Sequence, residues 1–155
     1  MNIKQSAISV VIALFIAATA TPALAAPCTM PGSIVSVTNN RVGNFERVIF
    51  NCRRPFPGTY SVSTAAPQFI EDGSGNVITV TGPKYQQIRF KSVVWTCSIA
   101  ENLHVPKVAI KDIKKIGQFE GVVTYVIGYR NASQYITTYA YNSSATIRKV
   151  VMLFH

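Results

Sequence analysis

The chain has 155 residues, with 15 Lys and Arg against 6 Asp and Glu and a net charge of +9. That length builds the core of one domain and leaves no room for several. Six acids and two histidines, scattered along the sequence, argue against a hydrolase.

The first element is a leader. Lys4 is the sole charge of Met1 to Gln5, Ala7 to Ala20 is apolar or small apart from Ser9 and Thr19, and Ala23-Leu24-Ala25 follows Thr21-Pro22. A charged start, an apolar middle and an Ala-x-Ala exit predict a signal peptide over residues 1–25, removed on export. A membrane anchor is the alternative reading, because the uncharged stretch is about as long as the shortest span, roughly 17 residues. Pro22 and the Ala-x-Ala site favour cleavage, and Pro27 before Cys28 fits a lipidation site badly. Cleavage after Ala25 leaves 130 residues and removes Lys4, so 14 basic side chains face 6 acidic ones and the net charge is +8. No second apolar segment approaches membrane length, so no transmembrane anchor is expected after cleavage. A cationic exported chain is drawn to anionic surfaces, and envelope polymers are a better partner class than nucleic acid.

Residues 26–32 read as an irregular leader to a domain over 33–155. Strand-like runs follow at Ser33–Thr38, Arg47–Cys52, Thr59–Thr64, Val77–Thr81 and Gln87–Trp95. In the last of these Ile88 and Phe90 alternate with Arg89 and Lys91, the period of a strand with one face in a core. Turn chemistry separates the runs: Asn39-Asn40, Pro55-Phe56-Pro57-Gly58, Asp72-Gly73-Ser74-Gly75-Asn76 and Gly82-Pro83. Val105–Ile116, Phe119–Tyr129, Gln134–Tyr141 and Thr146–Phe154 continue the pattern. Lys111–Lys115 is too short a candidate for a helical turn. Short β-branched and aromatic runs between turns predict an all-β fold, a single β-sandwich or barrel.

Three cysteines remain after cleavage, Cys28, Cys52 and Cys97. Export permits one disulfide and leaves one thiol over. Cys52 and Cys97 each end a strand-like run, which favours that pair, with Cys28 able to bond either instead. Nothing has metal-ligand spacing, so neither a metal nor another cofactor is expected. Asp72-Gly73-Ser74-Gly75-Asn76 lacks the closing Glu of a calcium loop and reads as a turn. Glu101 and His104 could be drawn as an acid–base pair, but a solvated loop histidine is the simpler reading, and His155 is terminal. No serine or cysteine sits in a nucleophile motif. The two Asn-x-Ser sites, at Asn131 and Asn142, are read as chance.

Two stretches carry a family resemblance. Asn44-Phe45-Glu46-Arg47-Val48-Ile49-Phe50, then Pro57-Gly58-Thr59-Tyr60-Ser61-Val62 and Asp72-Gly73-Ser74-Gly75, resemble the opening of the AMIN-like domains of exported bacterial proteins. Gly117-Gln118-Phe119-Glu120-Gly121-Val122-Val123-Thr124-Tyr125-Val126-Ile127-Gly128 is similar to a later strand of the same family. The matching stretches span about Ile34 to Phe154. The last strand departs from the family pattern, lacking its preceding Pro and terminal acid. The resemblance implies an antiparallel β-sandwich. It also implies a non-catalytic envelope module related to the AMIN domains that attach exported proteins to the cell wall through peptidoglycan.

The motif residues have structural readings. Gly121 and Gly128 mark a bulge or a close backbone approach. Phe119, Val122, Tyr125 and Ile127 are expected in the core, and Glu46, Arg47 and Glu120 are placed to form a Glu–Arg contact tying the two motif strands. For binding, Arg53, Arg54, Lys84, Tyr85, Arg89 and Lys91 are the candidate contact to peptidoglycan or an anionic wall polymer, since aromatic rings stack on sugars and cations pair with carboxylates or phosphates. Tyr135, Tyr139 and Tyr141 share a strand face by parity. That face is either core or an exposed surface. The alternative function is a structural subunit that binds an envelope protein through a strand edge or the Tyr-rich face.

Overall fold

The computed structural model describes residues 28–97, 102–103 and 108–155, and the signal-peptide reading and the Glu101/His104 pair lie outside them. Among the described residues every regular element is a strand: β1 (Ile34–Val42), β2 (Phe45–Arg53), β3 (Tyr60–Ala65), β4 (Phe69–Ile70), β5 (Val77–Ile78), β6 (Lys84–Phe90), β7 (Asn102–Leu103), β8 (Ile110–Phe119), β9 (Val122–Tyr129), β10 (Tyr135–Asn142) and β11 (Ile147–Phe154). They pair antiparallel into a four-stranded sheet, β1-β2-β11-β10, and a five-stranded sheet, β3-β6-β9-β8-β7, with β4-β5 as a small separate ribbon. The expected β-sandwich is the architecture observed.

Alternation explains the core. Val48, Phe50 and Cys52 of β2 and Val150, Met152 and Phe154 of β11 face Ile88 and Phe90 of β6 and Val123, Tyr125 and Ile127 of β9. Phe50 stands edge-on to Phe90 and to Tyr125, each at 5.0 Å between ring centres, the offset geometry that aromatic quadrupoles favour. A second, smaller core lies on the opposite face of the five-stranded sheet, where Phe69 and Val80 cover Val126. There the Val80–Gly82 backbone runs so close to β9 that a Cβ on Gly128 would strike the Thr81 carbonyl. Buried Asp112 holds this crossing by accepting the Thr81 N–H at 3.0 Å.

One turn reading and two strand readings need correction. Asn39-Asn40 is not a turn: β1 runs through it, and the β1–β2 hairpin turns at Gly43-Asn44, between the paired Val42 and Phe45. Gly43 takes positive φ there, as such tight hairpins demand. The run Gln87–Trp95 ends as a strand at Phe90, with Ser92 at positive φ. The expected strand Val77–Thr81 is confined to Val77–Ile78 before the chain crosses Gly128.

The cysteine pairing also needs correction. Cys28 bonds Cys97, with Cα atoms 5.9 Å apart, and Cys52 is a free buried thiol. Residues 32–34 lie between β2 and the 94–97 segment. Gly32 and Ser33 bond Arg53 on one side, while Ile34 bonds Trp95 and Cys97 on the other. Cys52 points from β2 into the core, where burial pushes its thiol up to about 12 against a small opposing pull from Arg148.

Candidate functional site

The motif residues divide by strand parity. Glu46 faces inward, is 1% exposed, and its carboxylate accepts the backbone N–H groups of Val108 (2.8 Å), Ala109 (3.0 Å) and Ile110 (2.8 Å). It thereby fixes the start of β8 against β2 and bridges the two sheets. Arg47 faces outward, where its Nε donates to Asn40 Oδ1 at 3.0 Å. Neighbours in a strand point to opposite faces, so Arg47 lies on the outer side of the four-stranded sheet while Glu120 lies in the β8–β9 turn of the other sheet, and the expected Glu–Arg contact between the two motif strands does not form. Glu120 and Gly121 are the two central residues of the β8–β9 hairpin, both at positive φ, with Phe119 opposite Val122. This two-residue geometry turns Phe119 out of the core, 63% exposed, against expectation, while Tyr125 and Ile127 are buried as expected and Val122 is half-buried.

The six candidate contact residues do not form one patch. Arg54 donates to the carbonyls of Ser144 and Ala145 and braces the β10–β11 turn. Lys84 donates to the carbonyls of Asn131 (2.6 Å) and Ser133 (3.4 Å), bracing the β9–β10 connection. Tyr85 packs its ring against Phe69 at 5.1 Å in the smaller core. Arg89 and Lys91 are exposed at the other end of β6. Arg53 belongs to the opposite sheet. Position along the sequence does not reveal which sheet a basic residue joins or which backbone carbonyls lie within its reach.

The outer face of the four-stranded sheet is a different kind of surface. Residues of β2 and β11 that alternate with the core positions point onto it. The strand register sets three rows: Ser36, Asn51, Lys149, Tyr141; then Thr38, Ile49, Val151, Tyr139; then Asn40, Arg47, Leu153, Thr137. Arg53, opposite Ile147, extends it by one pleat. The centre of the middle row is closed, with Ile49 and Val151 both buried. Tyr139 and Tyr141 stay 39% and 45% exposed, their rings near-parallel at 6.2 Å. That separation matches two residues on one strand face, about 6.8 Å apart.

Tyr135 does not join them. A bulge between Tyr135 and Thr137 reverses the parity, and Tyr135 turns inward against Phe154, its hydroxyl 2.9 Å from Thr138 Oγ1. The only acid in the four strands is Glu46, which faces the core, while Arg41, Arg47, Arg53, Arg148 and Lys149 are basic. The outer face thus offers two exposed tyrosines, three cations and two amide side chains with no carboxylate among its residues. Lys149 and Asn51 were missing from the sequence candidates, and Arg47 was named there only as a structural motif residue, not as a binding one. Their signal was the two-residue period of β2 and β11, which places them on the tyrosine side once those strands are known to be neighbours.

Among the described residues, no group of three His, Cys, Asp or Glu side chains could hold a metal ion, and no helix is long and apolar enough to cross a membrane. No curated protein and no solved structure matches the chain. The family model of the AMIN-like domain matches residues 33–152, from the start of β1 to near the end of β11. With most of its length matched, and with the motif residues placed on the paired strands of one sandwich, the chain belongs to the AMIN-like domain family.

Proposed function

We propose that this protein is a non-catalytic, exported module that binds peptidoglycan or an associated anionic wall polymer on the outer face of its four-stranded sheet. Membership of the AMIN-like family supports an envelope role, and the Cys28–Cys97 disulfide fits an oxidising compartment. The observation that carries the reading is the pairing of the exposed Tyr139 and Tyr141 rings with Lys149, Arg47 and Arg53 on a face without carboxylates. Flat rings stack on sugars, and guanidinium or ammonium groups pair with carboxylates and phosphates. A rigid sheet holds both kinds of group at fixed spacing, so little conformational freedom is lost on binding.

Purified cell wall, mixed with the protein and sedimented, provides the test. The wild-type protein is expected in the pellet at low salt. Tyr139→Ala with Tyr141→Ala, or Lys149→Glu with Arg47→Glu, is expected to leave it in the supernatant, whereas Arg54→Ala and Lys84→Ala should still pellet when folded. Pelleting of the face variants like wild type would remove the face from the account.

A second reading, a subunit that binds an envelope protein, draws on β10. This outermost strand, Tyr-Ile-Thr-Thr-Tyr-Ala-Tyr-Asn, is eight residues long without charge or proline, and such an edge can accept another strand. Charge reversal on the outer face would spare that interaction, while Thr138→Pro would abolish it.

A further inference from the structure

A groove of about 500 Å³ opens on the other sheet, on the part of its outer face that the β4–β5 ribbon leaves uncovered, lined by Asp72, Gly73, Arg89, Phe119, Glu120 and Val122. We infer that it is a second binding site, for a short zwitterionic peptide, with a free carboxylate held by Arg89 and a free ammonium held by Asp72 and Glu120.

The geometry follows from the register. On the outer face Arg89 of β6 lies opposite Thr124 of β9, and Thr124 lies opposite Gly117 of β8. Asp72 reaches over that row from the far side. Its backbone N–H bonds the Ile116 carbonyl, and its carboxylate occupies the space a side chain at position 117 would fill. The turn that carries it is braced internally, by Ser74 Oγ to Glu71 Oε2 at 2.5 Å and by Glu71 N–H to the Asn76 carbonyl. One bank is therefore cationic and the other anionic. On the sheet, Arg89 and the Gly117 that underlies the Asp72 carboxylate are two strand spacings, about 10 Å, apart, a distance that two or three extended residues span at about 3.3–3.6 Å each.

Among the described residues, neither the Arg89 guanidinium nor the Asp72 carboxylate has a hydrogen-bond or ion-pair partner, so both charges are unspent. The β8–β9 turn fixes the remaining wall. Glu120 stands at its tip, the Gly121 carbonyl accepts the Val93 N–H at 2.8 Å, and the exposed Phe119 ring borders the groove beside Val122. A peptide lying between the banks would pair both its ends and rest an apolar side chain on Phe119. A simple anion would meet two carboxylates, and a simple cation would meet the guanidinium. This site is independent of the wall-polymer face, and either can fail without the other.

The test uses the purified exported protein and the tripeptide alanyl-phenylalanyl-alanine, titrated by NMR while the amides of Arg89, Val122 and Thr124 are followed. The free tripeptide is expected to shift these amides saturably. Its C-terminal amide and its N-acetyl form should each bind at least tenfold more weakly. Arg89→Gln should reduce binding of the free peptide tenfold and remove the preference for a free carboxylate. Asp72→Asn should do the same for the free amine. Arg89 and Asp72 are both exposed, and an unchanged thermal midpoint verifies the fold of each variant. Equal binding of the three peptides, or no saturable shift at millimolar peptide, would overturn the assignment, whatever the outcome of wall sedimentation.

Discussion

Glu46 is the side chain on which the most structure depends. A carboxylate 1% exposed survives burial because three backbone N–H groups meet it. Replacing it with alanine strands those three donors, at about 1–3 kcal/mol each. Glu46→Ala is therefore expected to lower unfolding free energy by at least about 3 kcal/mol in urea denaturation. Glu46→Gln should also destabilise, because one of its terminal atoms would point a donor at a donor. An effect below 1 kcal/mol for the alanine variant would show that the start of β8 is held by something else. Cys52 makes the opposite kind of prediction. Its thiol is raised to about 12 by burial, so its neutral form is the one the fold prefers. The stability that the buried thiol contributes is complete below the ordinary cysteine range, near 8.5, and is lost as pH rises from there through about 12. Iodoacetamide at pH 8 should leave Cys52 unmodified in the folded protein and label it once denaturant is added. Rapid labelling without denaturant would contradict its placement.

At the scale of elements, Gly128 is the most exacting position. The Thr81 carbonyl occupies the space above it, and overpacking of this kind costs about 1–3 kcal/mol. Gly128→Ala should lower the thermal midpoint and loosen the β4–β5 ribbon, seen as faster amide exchange at Ile70 and Ile78, while Phe50 and Tyr125 keep their protection. The same crossing marks how far the sequence could be read. Nine of the strands were legible in their β-branched and aromatic runs, because alternation is a local property. Two-residue strands such as β4 carry no such period, and their pairing depends on the Phe69 ring finding Val80 and Val126. Parity failed where a bulge or turn reset it, turning Tyr135 inward and Phe119 outward. Half of the tyrosine surface was therefore visible beforehand, but its partners Lys149 and Arg47 came from strands far apart in sequence. Only the β2–β11 pairing brings them together.

For the whole molecule, β2 near the start of the domain and the last strand, β11, lie side by side, and the Cys28–Cys97 bond closes a separation of 69 residues. Cross-linking that much chain removes unfolded-state freedom worth on the order of 4 kcal/mol in the chain-entropy account. Cys28→Ser with Cys97→Ser should therefore lower the urea midpoint markedly while the sandwich still forms, since both main cores lie elsewhere. The distribution of charge matters as much as its sum. Basic side chains stand on both sheets, yet one outer face concentrates cations beside stacked tyrosines and carries no acid. The central claim is that this face binds an anionic wall polymer, and the most direct measurement is sedimentation of the purified protein with purified cell wall across a salt series. The account predicts full pelleting at about 10 mM salt that fades severalfold as the screening length falls from about 30 Å to about 3 Å near 1 M. Absence from the pellet at low salt, or binding indifferent to salt, would contradict it.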